Sequence, residues 1–146
     1  MVEKYFSVAV EKYFSKITLG ETADCIALDI HAEATSEKMA MAHLLDGRVS
    51  LVAGTHSHIP TADAQVLPGG TAYQTDVGMC GDYNSVIGMK KEAAINKFTR
   101  KLPGARLEPA GEEGTACAVL LETDDETGLA KNIEPVRVGG RLHETA

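Results

Sequence analysis

Two short apolar runs separated by a helical segment constrain the fold of this chain more than any other feature. The first run is Cys25–Ile30 (CIALDI) and the second is Val49–Ala53, and each suits a buried strand. Between them, Thr35 or Ser36 is expected to cap a helix that continues through Lys38–Leu45. This order predicts a crossover unit in which the two strands are parallel.

The middle of the chain is rich in turn-forming residues. Pro68–Gly70 separates Gln65–Leu67 from Thr71–Thr75, which predicts a hairpin with a longer loop. The stretch Gly78–Gly88 contains three glycines and few periodic apolar residues, so we interpret it as an ordered functional loop or a lid.

The last third of the chain predicts one more helix and a strand pair. Lys90–Lys101 has helical propensity and is expected to end at Pro103-Gly104. Ala116–Glu122 and Ile133–Val138 predict antiparallel strands on either side of a turn at Asp124–Gly128. The predicted fold class is therefore α/β shading into α+β.

The N-terminal segment contains an internal duplication. Val2–Ser7 and Val10–Ser15 both read VEKYFS, which is too short to define a repeat architecture. We predict a helix here, although Tyr, Phe and Val also favour a short strand.

The composition of the chain is that of a soluble globular protein. The 146 residues are 44% hydrophobic and 24% charged, which is ordinary for a soluble domain. The net charge of −7 argues against a nucleic-acid duplex as partner, but not against a small phosphorylated substrate. Three scattered cysteines and the lack of a long apolar run or signal peptide predict a cytoplasmic protein with reduced thiols, each expected to be a small core residue.

Three of the five histidines follow the two predicted strands of the crossover unit. His31 follows the first strand, and His56 and His58 follow the second at a spacing that places both on one side of an extended segment. Parallel neighbouring strands would bring all three to one edge of the sheet. Imidazole nitrogens in this arrangement predict a metal site, with ordinary hydrogen-bonded histidines as the alternative. His43 and His143 are expected to be solvated.

Other polar residues near these strand ends are candidates for supporting roles. Four acidic residues can orient ligating imidazoles: Asp29, Glu33, Asp63 and Asp76. Glu33 is the most attractive of them by proximity. In the glycine-rich stretch, Tyr83 and Asn84 either line a substrate pocket or belong to a surface turn.

The motifs HAEATSEK and GTHSH, in that order, resemble those of the YmdB-like metallophosphoesterases. The resemblance runs from about Asp24 to about Val138 and includes the stretch VIGMKKEAAINKF. It implies part of a two-sheet calcineurin-like sandwich with flanking helices. It also implies phosphodiester hydrolysis of the kind that bacterial members are associated with, including that of 2′,3′-cyclic AMP.

The same resemblance implies a ligand set and a cofactor. His31 matches the metal-binding histidine of the HAEAT motif, and His56 and His58 match the two histidines of the GTHTH motif, with Ser57 in place of threonine. The intact family holds two divalent metal ions, for which iron, manganese or zinc are candidates.

Departures from the family pattern limit what is expected of this chain. The GEN and GNH segments that supply the other ligands do not occur, so the reading frame resembles a truncated one. We predict at most one bound ion, weak or no turnover by the isolated chain, and no catalytic residue beyond the ligands. Whether the chain is itself an enzyme stays open. The alternatives are a non-catalytic metal-binding or interaction fragment that complements a separate N-terminal half, and a purely structural remnant.

Three segments are expected. Residues 1–20 form an atypical N-terminal segment, residues 21–140 the C-terminal half of a metallophosphoesterase domain, and residues 141–146 a tail. The expected partners are a small phosphodiester or cyclic-nucleotide substrate, and a second copy or a complementing N-terminal chain, with no membrane.

Overall fold

The computed structural model describes residues 10–100 and 104–145. The strands are β1 (Ala27–His31), β2 (Leu51–Thr55), β3 (Gln65–Val66), β4 (Ala72–Gln74), β5 (Ala116–Thr123) and β6 (Ala130–Val138). Helices α1 (Thr35–Leu44) and α2 (Lys91–Thr99) accompany these strands. In addition, residues 10–14 are helical, which agrees with the helix predicted for the second VEKYFS copy; the first copy lies outside the described residues.

The strands form two sheets. In the larger sheet the order is β1-β2-β4-β3; β2 lies parallel to both β1 and β4, and β3 is antiparallel to β4. The smaller sheet is the antiparallel pair β5-β6. The predicted crossover unit, the hairpin and the C-terminal strand pair are all confirmed.

The larger sheet has apolar side chains on both faces because its residues alternate between them. Val52 and Tyr73 face α1 and pack with Met41 and Leu45 in one core cluster. The neighbouring residues of β2 and β4 face the smaller sheet in a second cluster, formed by Leu51, Ala72 and Ile133 with Ala53, Val119 and Leu121. The arrangement is part of a two-sheet sandwich with a helix outside, and the predicted mixed fold class is confirmed.

Several local predictions need correction. Helix α1 begins at Thr35 after Ala34, which takes an extended conformation, and no side chain caps it, so neither Thr35 nor Ser36 is the cap. Helix α2 ends at Thr99 because Arg100 is already extended, before the expected stop. Position 103 lies outside the described residues.

The cysteines are also only partly as expected. All three are free, but only Cys117 is buried, whereas Cys25 and Cys80 are exposed. The prediction of three small core residues is therefore wrong for two of them. Cys25 precedes β1 instead of lying within it, and Cys80 lies in the glycine-rich loop.

None of the helices within residues 10–100 and 104–145 combines the length and apolarity that a bilayer-spanning segment needs.

Candidate metal centre

Two of the predicted ligands meet at the carboxyl ends of adjacent strands. His31 is the last residue of β1 and is in register with Thr55, the last residue of β2; His56 follows directly. Nε2 of His31 lies 3.1 Å from Nδ1 of His56, and the rings are edge to face with centroids 5.0 Å apart. The parallel pairing of β1 and β2 is what brings residues so distant in sequence together.

The ring of His31 is oriented by a hydroxyl from the neighbouring strand. Its Nδ1 lies 3.0 Å from Oγ1 of Thr55, and that hydroxyl donates to Oδ1 of Asp29 at 3.3 Å. Because the single hydroxyl hydrogen goes to the carboxylate, the oxygen accepts the Nδ1–H of His31. This pattern leaves the lone pair of Nε2 facing His56.

His58 is oriented by the glycine-rich loop instead. Its Nδ1 donates to the backbone carbonyl of Ile87 at 2.9 Å, which leaves Nε2 as the ring nitrogen for a ligand. Among the described residues, no three histidine, cysteine or acidic side chains converge closely enough to hold one ion. The structure thus brings His31 and His56 together and places His58 against the loop.

The loop that carries the histidines has an uncommon backbone. His56 has φ 127° and His58 has φ 64°, values in the region that favours glycine. Such conformations persist only where the surroundings impose them, and they concentrate at functional sites.

A buried ion pair fixes the loop that carries His56 and His58. Nζ of Lys38 lies 3.5 Å from Oδ2 of Asp76 and donates to the carbonyl of Thr55 at 3.2 Å. The carboxylate of Asp76 accepts the backbone N–H of Ser57 at 2.7 Å and that of Gly78 at 2.9 Å. The side chains of Lys38 and Asp76 are only 2% and 1% exposed. The residue between His56 and His58 is therefore tied to the protein interior.

These contacts keep the carboxylate charged. Burial alone would raise the pKa of Asp76, but hydrogen bonds from Ser57 and Gly78 and the charge of Lys38 together hold that pKa below its ordinary value. A carboxylate with a lowered pKa suits the role of fixing backbone N–H groups.

The other acidic candidates differ in what they contact. Asp29 acts on His31 through Thr55, whereas Asp63 accepts the backbone N–H of Thr75 at 3.2 Å. Burial would raise the pKa of Asp63, and its hydrogen bonds outweigh that effect and lower it. Glu33 is exposed and its carboxylate has no hydrogen bond within the part of the chain that the structure describes, although it lies only two residues from His31 in sequence.

The two polar residues of the glycine-rich loop, Tyr83 and Asn84, make different contacts. The hydroxyl of Tyr83 donates to the carbonyl of Met79 and accepts the N–H of the same residue, both at 3.0 Å. Burial, and then a hydrogen bond to Cys117, raise its pKa. Asn84 instead lines a pocket of about 260 Å³, where its amide oxygen accepts from Nζ of Lys91 at 2.6 Å.

Sequence reasoning missed three residues at this site: Lys38, Thr55 and Ile87. A signal existed for Lys38, because it shares the buried helix face with Met41 and Ala42 at spacings of three and four residues. No local pattern distinguishes Thr55 or Ile87, since their contacts depend on how distant segments pack.

The imidazole pair fits a divalent transition-metal ion. With metal–nitrogen distances of about 2.0–2.1 Å, two nitrogens on one ion lie about 2.9 Å apart at a right angle and about 3.3 Å apart in a tetrahedron. The 3.1 Å between the ring nitrogens of His31 and His56 falls within that interval, and in this structure it is a direct hydrogen bond in which Nδ1–H of His56 donates to Nε2 of His31. Imidazole is a ligand that zinc, iron and manganese all accept.

Comparison with known proteins shows which family this chain resembles. Residues 2–136 match the family model described as YmdB-like protein. The chain is 47% identical over 113 residues to a 2′,3′-cyclic-nucleotide 2′-phosphodiesterase of Bacillus subtilis (strain 168), covering 77% of this chain and 42% of that protein.

Two solved structures are also similar. One is a hypothetical protein from Thermus thermophilus, with a TM-score of 0.80 and 41% identity over 91% of this chain and 50% of that one. The other is a novel phosphatase from Mycoplasma pneumoniae, with a TM-score of 0.78 and 35% identity over 90% of this chain and 45% of that one. The chain spans about half the length of these relatives. With a family model that matches nearly all of its residues, the chain belongs to the YmdB-like family.

Proposed function

We propose that this chain carries the histidine part of the metal centre of a phosphodiester hydrolase. His31 and His56 are the proposed ligands that the structure already brings together, and His58 is a third proposed ligand whose ring must turn toward them from the glycine-rich loop. The observation that carries the proposal is the 3.1 Å separation of two imidazole nitrogens at adjacent strand ends. The contacts around the histidines support the proposal. Asp29 and Thr55 orient the ring of His31, and Asp76 binds the backbone of the loop that carries the other two histidines.

The proposed substrate is a small phosphodiester such as a 2′,3′-cyclic nucleotide. The name of the Bacillus subtilis relative supports this substrate class. A bound ion supplies Lewis acidity, which polarises a phosphoryl oxygen and makes water more acidic. The role of this chain is to hold Nε2 of His31 and Nδ1 of His56 toward a common point.

We further propose that the chain alone holds at most one ion and turns over substrate weakly or not at all. In residues 10–100 and 104–145, no carboxylate joins the imidazole pair to complete a ligand group. Two neighbouring divalent cations need oxygen ligands to offset their charge, and neutral imidazoles do not provide that.

Metal stoichiometry tests the proposal. Purified protein loaded with Zn²⁺ or Mn²⁺ is expected to retain about one ion per chain, and the His56→Ala/His58→Ala variant none. His43→Ala is the matched control, because His43 is an exposed histidine on α1 away from the pair. Equal retention by all three proteins would contradict the proposal, and rapid hydrolysis of 2′,3′-cyclic AMP by the pure chain would contradict its inactivity.

A second candidate function is that of an interaction fragment. The side of the smaller sheet that faces away from the larger sheet is called here the outer face. It carries a partly solvent-exposed apolar group beside the polar Glu122, Asn132 and Glu134, and the apolar members are Ala116, Ala118, Leu120, Val136 and Val138. Leu120 is 61% exposed and Val138 56% exposed. Contiguous apolar surface of this kind marks interaction sites.

The proposed occupant of the outer face is a segment equivalent to the remaining half of the relatives' fold, in the same polypeptide or another. A polypeptide made from the N-terminal half of the Bacillus subtilis relative, mixed with this chain, provides the test. Co-elution that Leu120→Glu abolishes would support complementation. Independent elution of the two polypeptides at micromolar concentration would contradict it.

A further inference from the structure

The turn at residues 86–89 has the hydrogen bonds of a tight hairpin connection. The N–H of Val86 donates to the carbonyl of Met89, and the N–H of Met89 donates to the carbonyl of Val86, both at 2.9 Å. The two central residues both have positive φ, 49° at Ile87 and 88° at Gly88. That combination is typical of a type I′ turn, in which Asn-Gly is the preferred pair.

Isoleucine is a poor residue for the first central position. Its branched Cβ makes a positive φ costly, so Ile87 is a conformational outlier. Its side chain is 53% exposed, so burial of that side chain contributes little to compensate for the strain. The conformational preference of isoleucine therefore disagrees with the backbone that the structure has at this position. Such disagreements are typical of functional or strained sites.

Surrounding contacts hold the turn in place. The N–H of Gly88 donates to Oγ of Ser85 at 2.9 Å, and the hydroxyl of Ser85 donates to the carbonyl of Asp82. On the other side, the N–H of Ala110 donates to the carbonyl of Gly88 at 2.8 Å. The turn is thus fixed from both sides, and the carbonyl of Ile87 is free to point toward His58.

From this geometry we infer that the 86–89 turn is the positioning element for His58. Its strained backbone directs the carbonyl of Ile87 to Nδ1 of His58 at 2.9 Å and so selects the tautomer whose Nε2 carries a lone pair. Ile87 is a positioning residue that acts through its backbone. The consequence for metal binding rests on the proposed function of His58 as a ligand, whereas the tautomer itself does not.

The tautomer is measured first, by ¹⁵N NMR of the imidazole rings in metal-free protein. His58 is expected to carry its proton on Nδ1. In Ile87→Asn, which retains a residue tolerant of positive φ and the same carbonyl, the tautomer is expected to persist and the urea midpoint to rise. An Nε2–H tautomer of His58 in the unmodified protein would overturn the inference.

Gly88→Ala tests the backbone conformation directly. An added Cβ meets only Sδ of Met79, at 3.4 Å, so the change acts through the positive φ and not through a clash. Displacement of the carbonyl is expected to mix the His58 tautomers and to weaken Zn²⁺ binding about tenfold, as loss of an orienting partner of a ligand does. An unchanged tautomer in a folded Gly88→Ala protein would contradict the inference.

The two proposals fail in different ways. If the unmodified protein does not take up Zn²⁺ but His58 is Nδ1-protonated, the proposed function is wrong and the turn still positions the ring. If His58→Ala abolishes uptake while Gly88→Ala changes neither tautomer nor affinity, the inference about the turn is wrong.

Discussion

Gly54 lies where β2, the end of β4 and the side chain of Lys38 approach one another most closely. An added Cβ at Gly54 would lie 1.8 Å from the carbonyl oxygen of Thr75 and 2.8 Å from Cδ of Lys38. Because the nearest atom belongs to the backbone, a side chain here forces the strand ends apart. The missing side chain gives Lys38 the space to run past β2 to Asp76.

Gly54→Ala is therefore expected to lower the free energy of unfolding by about 3 kcal/mol or more, through overpacking against backbone. Urea denaturation followed by circular dichroism measures the change. Gly111→Ala is the matched control, because its added Cβ has no atom within 4 Å, and it should shift the value by less than about 0.5 kcal/mol. Equal losses in the two variants would show that close approach at Gly54 is not the cause.

The buried ion pair of Lys38 and Asp76 leads to a second prediction about single residues. Asp76→Asn leaves the ammonium of Lys38 without a counter-charge and is expected to cost about 3–5 kcal/mol of unfolding free energy. The double variant Lys38→Met/Asp76→Asn should be less destabilised than the sum of the two single variants, because no unpaired charge is left.

The exposed pair of Lys90 and Glu108, 2.7 Å apart, provides the comparison. Glu108→Gln is expected to leave the unfolding free energy essentially unchanged, since solvent screens such pairs. Additive losses in the Lys38 and Asp76 variants would contradict a coupled buried pair.

At the scale of elements, apolar patterning predicted much of the fold. The crossover unit and the hairpins follow from short runs with a period of two or a buried composition, which local sequence displays directly. The bounds and the cap of α1 were less predictable, because Ala34 takes the capping position without a capping side chain. The contacts that hold Ser57 and His58 were not predictable locally, since Asp76 and Ile87 reach them from segments 19 and 29 residues away.

The uncapped start of α1 offers a stabilising substitution. Ala34→Ser is expected to raise the free energy of unfolding by about 1 kcal/mol, because the serine oxygen can accept a free backbone N–H of the first helical turn. Ala34 already has the extended backbone of a cap residue, with φ −77° and ψ 124°, so no rearrangement is needed. A denaturation midpoint that stays constant or falls would show that the N–H groups are satisfied in another way.

At the scale of the whole molecule, the two faces of the smaller sheet have opposite roles. Its inner face packs Ile133 and Val119 against β2 and β4, whereas its outer face leaves Leu120 and Val138 in solvent. The sequence predicted these two antiparallel strands and the turn between them. Which of the two faces is covered depends on how the smaller sheet packs on the larger one, and local sequence does not determine that.

Leu120→Glu is expected to reduce self-association in sedimentation velocity. It should lower the unfolding free energy by no more than about 1 kcal/mol, a cost that comes from placing the new carboxylate opposite Glu134. Ile133→Ala on the inner face should instead cost about 2–5 kcal/mol, since it opens a cavity between the sheets. Association that is unaffected by Leu120→Glu would show that the outer face is not the contact surface.

The position of β5 and β6 after the larger sheet in the chain has a consequence for synthesis on the ribosome. The strands β1, β2 and β4 leave the ribosome first, and the partners that cover Leu51 and Ala72 arrive only when Ile133 has been made. During that interval the nascent sheet has one apolar face open to water and to other nascent chains. Between the emergence of Gln74 and that of Ile133 from the ribosome, a chaperone would therefore have this apolar face to protect.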